Sequence, residues 1–188
     1  MTTTATASAP TATVTTAAAP ARPITLDELA ALDVAALTAV YRDGTVPASL
    51  AALDGNPTCR MLAIRGLDHG LRGRAVRALA AARLFPWAGK SFAAEDAARG
   101  RGINRVRLGD GKRWFPFATK LEPSAIDGRP CIFLDYDQAP NPRPIRMIRD
   151  ELREVAPGLF LGPAMLDDGR RPPRLVLWFA CDARGARA

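Results

Sequence analysis

The sequence predicts an α+β protein, mainly antiparallel β, and three observations carry that prediction. Eleven of the twelve aromatic residues lie after position 84. In the same half, short β-favouring runs alternate with glycine- and aspartate-rich turns, as hairpin-linked strands do. Ahead of them stands a segment whose apolar residues follow helical spacing.

Residues 1–23 are Thr, Ala and Pro with one charge, Arg22, and offer no apolar face to pack, so they are expected to form a disordered tail. Order begins at Thr25, whose spacing to Glu28 is that of a capping box. Leu26, Leu29, Leu32, Val34, Leu37 and Val40 follow, with Gly44 as the stop. Asp33 has the chemistry to cap a second helix, so the segment is one helix or two short ones. A helical turn from Pro47 to Leu53 ends at Asp54-Gly55-Asn56-Pro57, and Thr58–Ile64 reads as a strand. Leu71–Leu84 reads as a helix with Val76, Leu79 and Ala80 facing inward.

Strands are then expected at Trp87–Phe92, Ile103–Leu108, Trp114–Thr119, Cys131–Tyr136, Leu159–Leu166 and Leu175–Cys181. One helix interrupts them: Ile145, Ile148, Leu152 and Val155 recur at helical spacing, with Arg146, Arg149, Asp150, Arg153 and Glu154 on the other face and Arg146–Asp150 as an ion pair. Six or seven antiparallel strands in residues 24–183 must close on themselves or pack against another layer. A closed or nearly closed barrel with a helix near its mouth is the first choice, and an open sheet covered by the N-terminal helices the alternative. Residues 184–188 are left as a flexible tail.

At 188 residues the chain suits one domain, and 48 % hydrophobic with 24 % charged residues is an ordinary globular balance. The net charge of +7 comes from dispersed arginines, with lysine only at positions 90, 112 and 120. No block of five like charges occurs, so no nucleic-acid partner is expected. Cys59, Cys131 and Cys181 are far apart and His69 is the single histidine, so neither a metal site nor a cofactor is expected. The cysteines read as reduced, packed thiols. No apolar stretch reaches the roughly 20 residues of a membrane span. The N-terminus has neither a basic nor an apolar signal region, so the protein reads as cytoplasmic. Oligomeric state is not legible.

Trp87-Ala88-Gly89-Lys90-Ser91-Phe92 forms a W-x-G-K-x-F element, preceded by Val46-Pro47 and a strand ending Arg65-Gly66. Tyr136-Asp137 with Pro140, Leu161-Gly162 and a last apolar strand follow. In that order these elements resemble the GXWXG and DUF4334 family of small lipocalin-like (calycin-type) β-barrels, over about residues 45–182. Where that family has G-x-W-x-G, this chain has Leu62-Ala63-Ile64-Arg65-Gly66. The resemblance implies a barrel and an apolar ligand, without a defined reaction. Haem-binding relatives of the class use a histidine near the C-terminus, and none follows His69 here.

The candidate site residues come from strand parity. If the Ile132–Leu134–Tyr136 face of its strand is inward, the Tyr136 phenol is the inner polar group; the opposite parity brings Asp135 inside. The first buries three residues without a charge and is the more economical. Lys90 shares a face with Ala88 and Phe92, opposite Trp87, where it snorkels, pairs with an aspartate, or binds or reacts with a ligand. Asn104 shares a face with Val106, opposite Arg105, so Asn104 is the inward polar group. His69 beside Asp68 lacks any elbow motif and reads as an exposed loop residue.

The leading reading is a barrel binding a small hydrophobic molecule, its cavity lined by Phe92, Phe115, Phe117 and Trp178 with Lys90, Asn104 and Tyr136 as polar anchors. The alternative is a cofactor-independent cyclase or isomerase acting on a hydrophobic secondary metabolite in the same cavity. There Tyr136 or Asp135 exchanges the proton and Lys90 or an arginine holds the developing negative charge. A third reading is a partner-binding module that uses the arginine-rich helices.

Overall fold

The structure, a computed structural model, describes residues 23–66, 87–106 and 113–186. The expected 1–23 tail (save Pro23), the Leu71–Leu84 helix and His69 lie outside the described residues.

Two helices open the described chain. α1 (Leu26–Ala31) starts at Thr25 in a complete capping box, and α2 (Val34–Asp43) starts at Asp33, whose carboxylate accepts from the Ala36 N–H. The break between them is the one Asp33 signals. A 3₁₀ turn at Leu50–Leu53 leads into the sheet.

Eight strands follow: β1 (Thr58–Ile64), β2 (Trp87–Ala94), β3 (Arg99–Val106), β4 (Arg113–Pro123), β5 (Pro130–Asp135), β6 (Ile148–Ala156), β7 (Leu159–Leu166) and β8 (Arg174–Asp182). All pairings are antiparallel, in the order β1-β8-β7-β6-β5-β4-β3-β2. The sheet curls into a nearly closed barrel whose free edges are β1 and β2. Closure comes from the segment before β1: Gly55 and Phe92 exchange backbone hydrogen bonds of 3.0 and 2.9 Å, and Ser91 donates to Asn56. A short helix, α3 (Arg143–Arg146), stands before β6.

The helix expected over Ile145–Val155 is corrected. Only its first turn is helical, and Ile148–Ala156 is strand β6. Ile148 and Leu152 are four apart, a spacing that fits both periods. The decisive feature is that both faces of β6 are covered. Ile148, Asp150 and Leu152 look into the barrel, while Glu151 and Arg153 are fully buried outside it, beneath α2. Tyr41 donates to Glu151 at 2.8 Å, and Arg153 grips Asp127 through two nitrogens at 2.7 and 2.8 Å. The expected Arg146–Asp150 pair does not form; Arg146 binds Asp137 instead.

The core therefore has two compartments. Inside the barrel lie Phe92, Phe117, Ile132, Leu134, Tyr136, Leu152, Phe160 and Phe179. Between the barrel's outer face and α1/α2 lie Leu29, Leu37, Tyr41, Leu62, Leu161 and Trp178. Interior packing is tight at Gly102, where an added Cβ would lie 2.3 Å from the Phe117 ring. Gly102→Ala is expected to lose about 1–3 kcal/mol through overpacking. A denaturant titration showing no loss would mean that both the Phe117 ring and the Ser91 carbonyl, 2.5 Å from that Cβ, can give way.

Candidate functional site

Two bulges aim the site's side chains. At Ala88–Gly89 the β2/β3 register slips, and Gly89 takes φ 113°, a conformation glycine adopts without cost. The slip places Trp87 on the inner face with Lys90, correcting the expectation that they point oppositely. The second bulge leaves Phe115 unpaired between Trp114, opposite Asn104, and Pro116, opposite Ile103. Phe115 has φ 61°, which costs a non-glycine residue about 1–3 kcal/mol. This strained residue puts its ring on the cavity wall.

The cavity measures about 450 Å³, within the range of small-molecule sites. Its walls are apolar, with Met61, Trp87, Phe115, Ile148, Leu177 and Phe179 prominent, and Ile145 of α3 contributes to them. Its polar groups come from Lys90, Asn104, Tyr136 and Asp150, all buried. The Lys90 ammonium donates to Asp150 Oδ2 at 2.8 Å, to the Tyr136 hydroxyl at 2.5 Å and to Asn104 Oδ1 at 3.1 Å. Tyr136 donates to Asp150 Oδ2 at 3.0 Å and accepts from Asn104 Nδ2 at 3.0 Å. Trp87 Nε1 donates to Asn104 Oδ1 at 3.0 Å, and Asn104 Nδ2 also reaches the Phe115 carbonyl.

The ammonium also sits within 5.6 Å of the ring centroids of Trp87, Phe117, Tyr136 and Phe179. Burial alone would lower the Lys90 pKa, but the Asp150 carboxylate and the Tyr136 oxygen outweigh it and hold it above the ordinary lysine value. Lys90 is thus a fixed cation. A Schiff-base lysine needs the opposite, a lowered pKa and a free lone pair. Burial, then the Asp150 charge, push the Tyr136 phenol up against the pull of Lys90, so it stays neutral at pH 7.

Of the residues expected to form the site, Lys90, Asn104, Phe115 and Tyr136 come together on the cavity. Phe92 and Phe117 pack on each other at 5.5 Å in the barrel interior, off the cavity wall. Trp178 is corrected: it points outward, edge-on to Tyr41 at 5.4 Å beneath the N-terminal helices. Asp135 is also outside the cavity, 3.5 Å from Lys120. Sequence reasoning missed Asp150, which it placed on a solvated helix face. The available signal was Pro157-Gly158, a two-residue turn joining Ala156 to Leu159, since so short a link connects antiparallel strands.

Fold and site define a nearly closed β-barrel with an apolar cavity built around one buried ion pair. No family model and no curated protein matches the chain. A solved structure, a protein from Thermomonospora curvata, is 17 % identical over 80 % of this chain and 87 % of that one, with a TM-score of 0.47. A likeness at that level carries no functional argument. Among the described residues no helix is long and apolar enough to cross a membrane.

Proposed function

We propose that the barrel binds a small, mainly apolar molecule carrying a neutral hydrogen-bond donor, such as an alcohol or phenol. The observation that carries this reading is the unpaired Oδ1 of Asp150. That atom is buried without a hydrogen-bond partner, on a residue that lines the cavity. Every other polar group of the cluster is committed. A lysine has three donors, and Asp150, Tyr136 and Asn104 take all three of Lys90's. The Tyr136 hydroxyl gives its one proton and accepts twice, and Asn104 uses both its oxygen and its amide protons. An unmet buried acceptor costs about 1–3 kcal/mol, which a ligand O–H recovers.

Charge selects the same chemistry. Lys90 and Asp150 cancel, so a charged ligand would enter an apolar cavity that has no free counter-charge among the described residues lining it. The resemblance to the GXWXG and DUF4334 barrels fits this proposal and adds no residue to it. A proton-transfer role is the second reading, favoured by the direct Tyr136–Asp150 contact; there Asp150, with Tyr136, serves as the acid–base pair of a cofactor-independent isomerase or cyclase.

The test uses 2-naphthol, its methyl ether and 2-naphthoate, followed by quenching of Trp87 and Trp114 fluorescence. The alcohol is expected to bind about 10-fold or more tightly than the ether, the size of one recovered hydrogen bond, and the carboxylate most weakly. Equal binding of alcohol and ether would remove Asp150 from the contact. Binding of none of the three would reject the cavity as a site for ligands of this kind.

A further inference from the structure

Cys59 of β1 and Cys181 of β8 stand directly opposite each other in the ladder, and their sulfurs are 2.6 Å apart. Cys181 belongs to the barrel's interior cluster and Cys59 packs against it. Gly89 makes the space: a Cβ there would lie 3.2 Å from the Cys59 sulfur. The two thiols are chemically unequal. Cys181 is fully buried, whereas Cys59 is half-buried at the β1/β2 seam.

We infer that Cys59 and Cys181 are a redox-active dithiol, which a small peroxide or a low-molecular-weight disulfide converts to an intramolecular disulfide. With a peroxide, the Cys59 sulfur attacks one oxygen, the O–O bond breaks, and the departing hydroxide takes the Cys59 proton as water. The Cys59 sulfenic acid is then attacked by the Cys181 sulfur. An S–S bond forms, the S–O bond breaks, and the oxygen leaves with the Cys181 proton as a second water. Two thiols thus lose two electrons and two protons, and one hydrogen peroxide becomes two waters. With oxidised glutathione, Cys59 displaces one glutathione thiolate to form a mixed disulfide and Cys181 displaces the second from it. The two leaving thiolates take the two cysteine protons.

The division of roles has a physical basis. Burial opposes ionisation of Cys59, but the Cys181 thiol, the Lys90 backbone and the Lys90 and Arg105 charges overcome it and lower its pKa. Burial and Cys59 itself raise the Cys181 pKa, so Cys181 stays protonated and the first attack falls to Cys59. Cys131 is the internal control, since burial and then the Glu151 charge push its pKa up to about 12. Two residues along each strand from the pair stand Met61 and Phe179, both on the cavity wall, so the cross-link would fix that wall.

The experiment treats the full-length protein with hydrogen peroxide, and separately with oxidised glutathione, then alkylates it under denaturing conditions for mass spectrometry. The expected product has lost two hydrogens, retains one alkylatable thiol at Cys131, and yields a linked Cys59–Cys181 peptide. Cys181→Ser is expected to stop with glutathione held on Cys59, while Cys59→Ser takes up none at Cys181. Three alkylatable thiols after oxidation of the wild type, or a link that includes Cys131, would overturn the inference whether or not the serine variants fold.

Discussion

Replacing Trp178 with alanine is expected to destabilise the protein by about 3–5 kcal/mol, the range for a large aromatic removed from a packed core. The indole is fully buried where β8 meets the N-terminal helices, edge-on to Tyr41 and among Leu29, Leu37 and Leu62. Its loss opens a hole between the barrel and α1/α2, outside the barrel's cavity. The substitution should therefore lower the denaturant midpoint strongly while leaving naphthol affinity within about threefold, measured where the variant is still folded. A loss below about 1 kcal/mol would show that the helices do not depend on this contact. A large loss of affinity at retained stability would put the indole back on the cavity.

The contrast between Trp178 and Lys90 shows what the sequence made legible. Strand existence was readable because β-favouring runs and turns alternate, and β1 and β7 run over the residues expected of them. Which face looks inward was readable only where one parity buries no charge, as for Ile132, Leu134 and Tyr136 or for Asn104. β8 defeats that test because both faces are apolar: Leu177 and Phe179 face the cavity, and Trp178 and Ala180 face the helices. β6 defeats it for the opposite reason. Its charges look solvated, yet Asp150 is neutralised inside the barrel by Lys90. Outside it, Arg153 is neutralised by Asp127 from a distant segment and Glu151 by Arg149 of the same strand. Bulges add a second blind spot, since one extra residue at Ala88–Gly89 reverses the relation of Trp87 to Lys90. The Cys59–Cys181 pairing is a matter of register across 122 residues, which composition does not encode.

Lys90→Met tests the ion pair on which the proposed site rests. Methionine keeps an unbranched apolar stem and removes the charge, so what changes is the fate of Asp150. Its carboxylate would be left among aromatic rings without a counter-charge, and removing one partner of a buried pair costs about 3–5 kcal/mol. Lys90→Met/Asp150→Leu removes both charges and should recover most of that loss, because a well-packed apolar replacement of a buried pair is often neutral or stabilising. The double-mutant cycle then isolates the coupling between the two side chains. A single variant losing less than about 1 kcal/mol would mean that water screens Asp150, and the hydrogen-bond accounting that leaves Oδ1 open would fail with it. The double variant also separates stability from recognition. If the cavity selects ligands through Asp150, the folded double variant should still take up naphthalene-sized molecules but lose the preference for 2-naphthol over its methyl ether. Retention of that preference would place the selecting acceptor elsewhere on the wall.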